Sequence, residues 1–110
     1  MNKELLKGTL NIILLLVLSK RTTYGYELAS TIDKLSNSTI TLKESSLYTA
    51  LLRLEQQGYI KSSWSETLSY PRRKYYEITP LGSEYLTTNL SDYLNINSLI
   101  NNLINLEEDQ

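Results

Sequence analysis

The chain has no cysteine and no histidine. The first absence removes a disulfide frame, a thiolate nucleophile and a zinc knuckle. The second removes the commonest metal ligand and the commonest general base. No paired-carboxylate or glycine-rich phosphate motif replaces them, so an enzyme is not expected. A small hydrolase using tyrosine and carboxylates is the remote case. Long hydrophobic runs are also missing. The apolar run Ile12–Leu18 falls far short of the roughly 18 residues that a membrane span needs. Lys3 and Lys7 precede that run as they would in a signal peptide. However, Glu4 interrupts the positive region, and Ser19-Lys20-Arg21 stands where small residues would be cleaved. The expectation is a cytoplasmic protein with no membrane segment and no cofactor.

Cations are absent after Lys74. Residues 1–80 carry all 11 Lys and Arg with seven acids, a net +4; residues 81–110 carry the other five acids, a net −5. The overall balance of −1 looks wrong for a nucleic-acid binder. The distribution instead suggests a cationic body and an acidic tail with separate jobs. At 110 residues the chain is long enough for one domain with a modest core.

The stretch Lys43–Gly58 has the most telling pattern. Leu47, Ala50, Leu51 and Leu54 recur on one helical face. The other face carries Ser45, Ser46, Tyr48, Thr49 and Arg53, and Gly58 follows as a left-handed stop. Read alone, this is an amphipathic helix. Hydroxyls, a phenol and a guanidinium near its start also suit a helix that enters a DNA major groove by its N-terminal half.

The context favours the second reading. A helix is predicted from Asn2 to Ser19, apolar nearly all round in its second half. Lys20–Thr23 reads as a loop, and Tyr24-Gly25-Tyr26-Glu27 opens a second helix with Leu28, Ile32 and Leu35 inward. Ser36-Asn37-Ser38 ends it, and Thr39–Leu42 is an extended link. This is the helix-turn-helix order. Tyr59–Ser65 and Lys74–Thr79 then alternate as strands, with Ile60, Ser62 and Trp64 on one side and Tyr76 and Ile78 sharing a face. Glu66–Pro71 is the loop between them. The hairpin tip carries Arg72, Arg73 and Lys74, cations suited to phosphates, as a wing would be. Tyr24 either adds a phosphate contact or packs internally.

Thr79-Pro80 is a strong helix start, a hydroxyl cap followed by proline. Beyond it Leu86, Leu90, Tyr93, Asn97, Ile100 and Ile104 form a heptad-like seam, widened by Leu94, Ile96, Leu99 and Leu103. Helical from Pro80 to Leu106, the segment is about 40 Å long at 1.5 Å per residue. So long an apolar face calls for a second copy of the chain as its cover. Several asparagines weaken the helix on its own, and Glu107–Gln110 is expected to fray.

The pieces Leu6-Lys7-Gly8-Thr9-Leu10, Tyr24-Gly25-Tyr26-Glu27, Leu47-Tyr48 through Leu54-Glu55 and Pro71-Arg72-Arg73-Lys74-Tyr75-Tyr76 occur in this order, with Thr79 and Gly82 after them. Over about residues 5–84 the chain thereby resembles the PadR family of transcriptional regulators. The resemblance implies a dimeric winged helix-turn-helix repressor of efflux or detoxification genes, or of its own operon. It also implies a C-terminal helix that packs near the partner's first helix. Some multidrug-sensing members hold planar drugs at the dimer centre. Matched residue by residue, Tyr93 falls where they carry a tryptophan, so it is either a site for a small aromatic effector or a seam residue only. The chain departs from the family at Lys43, where a Ser or Asn cap is usual. It also departs at Ser45-Ser46 and Thr49, usually Gly-Thr and proline, and at Leu52, usually charged. Leu52 would meet a thymine methyl or be half buried.

The expected fold is mainly α with a small β-hairpin. It comprises a winged helix-turn-helix over residues 1–79, with the first helix also at the dimer interface, and a dimerisation helix over residues 80–110. The expected partners are operator DNA and a second copy. The competing expectation is a winged-helix module that binds an acidic protein.

Overall fold

Asn2 starts the first helix: its side-chain oxygen accepts from the backbone N–H groups of Glu4 at 2.8 Å and Leu5 at 3.3 Å. This satisfies two of the donors that a helix start leaves unpaired. In this computed structural model, which describes residues 1–65 and 72–107, α1 spans Lys3–Lys20. Its second half supplies Leu14, Leu15 and Leu18 to the core, while Leu5 in its first half is exposed. The loop expected over Glu66–Pro71 and the last three residues of the expected frayed end lie outside the described residues.

Three further helices follow in the predicted order: α2 (Gly25–Leu35), α3 (Glu44–Gln56) and α4 (Pro80–Ile104). Leu28 and Ile32 of α2 are buried as expected, but Leu35 is 80% exposed. Its turn is the last of the helix, and the chain bends away there through Asn37 and Ser38, both left-handed. Asp33 organises that turn by accepting from Thr41 at 2.7 Å and Ser38 at 3.2 Å. Helix α3 starts at Lys43 without a side-chain cap, as the lysine there implies. Gly58 beyond its end is left-handed at φ 81°.

The sheet is larger than the expected hairpin. Strands β2 (Ile60–Trp64) and β3 (Lys74–Ile78) pair antiparallel, with Trp64 opposite Lys74 and Ile60 opposite Ile78. Thr23 and Tyr24, expected partly as loop, form the short strand β1 on the other side of β3, opposite Tyr76 and Tyr75. The order is β1-β3-β2. A two-residue strand has no readable alternation, so only its partner's position reveals it.

One core joins all the helices: Leu14, Leu15 and Leu18, then Leu28 and Ile32, then Leu47, Ala50, Leu51 and Leu54, closed by Ile60, Tyr76 and Leu86. The four predicted apolar residues of α3 are all in it. The spacing predicts Leu86 for the dimer seam; in the structure it is 7% exposed and belongs to the chain's own core. The start of α4 lies against the base of the hairpin, which is why that turn is covered internally. Tyr59 and Tyr85 stack there at 4.3 Å between ring centres. A Cβ on Gly82 would meet the Tyr59 carbonyl oxygen, so only glycine lets the two backbones approach.

Candidate nucleic-acid interface

Helix α3 divides its side chains into three lanes. Leu47, Ala50, Leu51 and Leu54 face inward. Ser45, Ser46, Thr49 and Arg53 are exposed and, with Leu10 of α1 and the edge of Ala50, line an open groove of about 290 Å³. Tyr48 turns to the opposite flank, toward the wing. Leu52, 56% exposed, is the apolar member of the outward surface, so it is not half buried in the core. Gln56, overlooked in the sequence, is exposed one helical turn further on.

On the other flank the sheet and α2 shape a second, larger cleft of about 500 Å³. Four predicted residues meet α3 there through Tyr48: Tyr24, Arg72, Arg73 and Lys74. The Arg73 guanidinium lies over the Tyr24 ring at 4.4 Å, and Arg72 lies over Trp64 at 5.3 Å. The Lys74 ammonium lies 5.9 Å from the centres of both the Trp64 and Tyr76 rings. Such cation–ring contacts position the charges without neutralising them. Tyr24 also meets Tyr75 edge-on at 5.5 Å. The Tyr24 ring thus packs internally and also lines the cleft.

Gly25 explains how Tyr48 reaches this flank. A Cβ there would come 2.5 Å from the Tyr48 hydroxyl oxygen. The glycine of the Tyr24-Gly25-Tyr26-Glu27 motif thus leaves room for a phenol from α3. Tyr26, Trp64 and Tyr76 also line the cleft and are not among the predicted site residues. The signal for Trp64 was legible: a ring at the end of one hairpin strand, opposite a lysine on the other. Tyr76 is nearly buried, and its phenol is pushed above its ordinary pKa by burial first and by nearby Tyr48 and Glu55 second. It therefore stays protonated near neutrality.

The carboxylates near the interface are tied elsewhere. Glu55 accepts a 2.6 Å bond from the Ser62 hydroxyl, and Glu77 pairs with Lys61 at 3.3 Å. The second ion pair among the described residues, Arg21–Glu27 at 3.1 Å, bridges α1 and α2. Neither pair uses a wing cation. No group of three or more potential metal ligands occurs among the described residues, and no described helix is long and apolar enough to cross a membrane. Tyr93 belongs to neither cleft. It is 41% exposed on the outer half of α4, as are Ile100 at 50% and Ile104 at 72%; Asn97 there is exposed too, while Leu90 packs partly against the core.

Residues 14–88 match the transcriptional regulator PadR-like family. The chain is similar to a transcriptional regulator of Clostridium thermocellum, with 33% identity and a TM-score of 0.83, covering 92% of this chain and 95% of that one. It is also similar to a PadR-like transcriptional regulator of Bacillus cereus, with 31% identity and a TM-score of 0.83 over 96% and 100% of the two chains. An uncharacterised protein of Lysinibacillus sphaericus is 30% identical over 97 residues, which is 88% of this chain and 89% of that protein.

Proposed function

This chain belongs to the PadR-like family of transcriptional regulators, and from that premise we propose that it is a homodimeric DNA-binding repressor. The observation that carries the reading is the pairing of an exposed hydroxyl lane on α3 with three wing cations that form no ion pair among the described residues. Ser45, Ser46, Thr49 and Arg53 approach base edges or adjacent phosphates. Tyr24, Tyr48, Arg72, Arg73 and Lys74 hold the backbone beside them. The hydroxyls and the guanidinium are the parts that discriminate bases; the wing sets orientation and affinity.

The tail supports the dimer. From Ser91 to Leu106 every residue of α4 and its end is exposed, including Leu94, Ile96, Leu99, Ile100, Leu103 and Ile104. An apolar helix of this kind suits a partner copy, and a two-fold pair would fix the separation of two reading heads. Release by a planar effector at Tyr93 would act by favouring another separation, since only differential affinity shifts an equilibrium. Repression of efflux or detoxification genes, or of its own operon, is the regulatory role that goes with this reading.

A gel-shift series on DNA upstream of the chain's own gene tests it. Arg73→Ala should weaken binding to all sequences and flatten the salt dependence by about one unit of slope. Thr49→Ala should change which sequence is preferred. Identical behaviour of the two variants on every DNA would defeat the division of labour. No binding to any promoter fragment would favour the protein-binding module instead. Tyr93→Ala should weaken a ligand-induced fluorescence change; unaltered affinity would remove Tyr93 from the site.

A further inference from the structure

The cleft between the start of α2, α3 and the wing gathers five of the chain's ten aromatic side chains. Among the described residues no carboxylate lines it. Three cations converge on it, each lying against a ring of the chain and none in an ion pair among the described residues. A backbone phosphate engages the cations and the phenol hydroxyls and leaves the ring faces unused. A neutral planar molecule uses the rings and leaves the cations unmatched. We propose that this cleft is a binding site for a nucleotide, a planar base that carries phosphates.

The parts fit that chemistry. At about 500 Å³ the cleft falls within the usual range of small-ligand sites. The Arg73 guanidinium already stacks on Tyr24 at 4.4 Å, and its outer face offers a platform for a second planar group. Tyr48 and Trp64, 42% and 54% exposed, supply further ring surface. Arg72 and Lys74 then meet the phosphates as charge-assisted donors. The ligand would occupy the cations assigned above to DNA, so nucleotide and operator would exclude one another. That competition rests on the proposed DNA reading; the binding itself does not.

Trp64 is the chain's single tryptophan and stands in the cleft wall, so it reports occupancy directly. The test titrates the full chain, without DNA, with ATP in magnesium-free buffer at physiological salt. Adenosine and tripolyphosphate are run separately, with calorimetry beside Trp64 emission. ATP should give a saturable change, and each half-ligand should bind at least about tenfold more weakly, because stacking and charge both contribute. Arg73→Ala and Tyr48→Ala, with unchanged circular dichroism, should each weaken ATP by about tenfold. Absence of any saturable signal at millimolar ATP overturns the proposal. So does tripolyphosphate binding as tightly as ATP, which would reduce the cleft to a plain anion patch. Because no DNA is present, failure here leaves the DNA reading standing. ATP that binds but does not release operator DNA would break the shared-cation argument alone.

Discussion

The two halves of α4 have opposite fates. The first, Pro80–Leu90, has fewer large apolar side chains, yet it buries Gly82 and Leu86 and packs Leu90 partly against the core. The second, Ser91–Ile104, is richer in Leu and Ile and exposes every one of them. Burial here follows what the rest of the chain can offer, not how hydrophobic the segment is. The molecule measures 71 × 29 × 21 Å, so the outer half of the helix extends past any surface of its own chain. That outer half is built for something other than this chain's core.

Substitutions in the two halves should therefore separate stability from assembly. The largest effect expected is from Gly82→Ala, because the added methyl meets backbone that cannot swing aside. A loss of about 4 kcal/mol in urea unfolding is expected, at the severe end for single changes. Leu86→Ala should cost about 3 kcal/mol as a core cavity. Ile100→Asp should leave the fold of residues 1–90 intact, as read by Trp64 near-UV dichroism, and reduce the sedimentation mass to one chain. A Leu86→Ala variant that altered mass and not stability would erase the contrast.

Two smaller changes sharpen the picture from the head's side. The folded pKa of Tyr76 lies above its unfolded value of 10.0. Its contribution is thus fully present below pH 10 and is lost as pH rises through the raised folded pKa. Tyr76→Phe should flatten that alkaline loss in pH-dependent melting. The smallest effect belongs to Thr23→Val. The Thr23 hydroxyl is buried with no hydrogen-bond partner among the described residues. Removing it at near-constant shape should change stability by no more than about 1 kcal/mol, and in the stabilising direction.

The same contrast marks what was legible in the sequence. Periodicity found the inward face of α3 residue by residue, because Leu47, Ala50, Leu51 and Leu54 face one continuous core. It misassigned Leu86, since a heptad-like spacing looks alike whether the covering surface comes from the same chain or another. It also misassigned Leu35, where the chain turns away one step before the stripe ends. The wing cations were readable as a charge run next to a turn. Trp64 was readable beside them, opposite a lysine across the hairpin, but Tyr26 and Tyr76 were not, because they lie on separate elements and meet only through the β1-β3-β2 pairing. Gly25 likewise makes sense only once Tyr48 is seen against it.

Thr79 has a mechanical consequence. Its hydroxyl donates to the Gly58 carbonyl at 2.6 Å and accepts from the Gly82 amide at 3.0 Å, while its own amide donates to the Tyr59 carbonyl at 3.0 Å. One side chain thus pins the root of the hairpin to the first turn of the long rod. Losing that hydroxyl would free the hairpin root and the start of the long helix together.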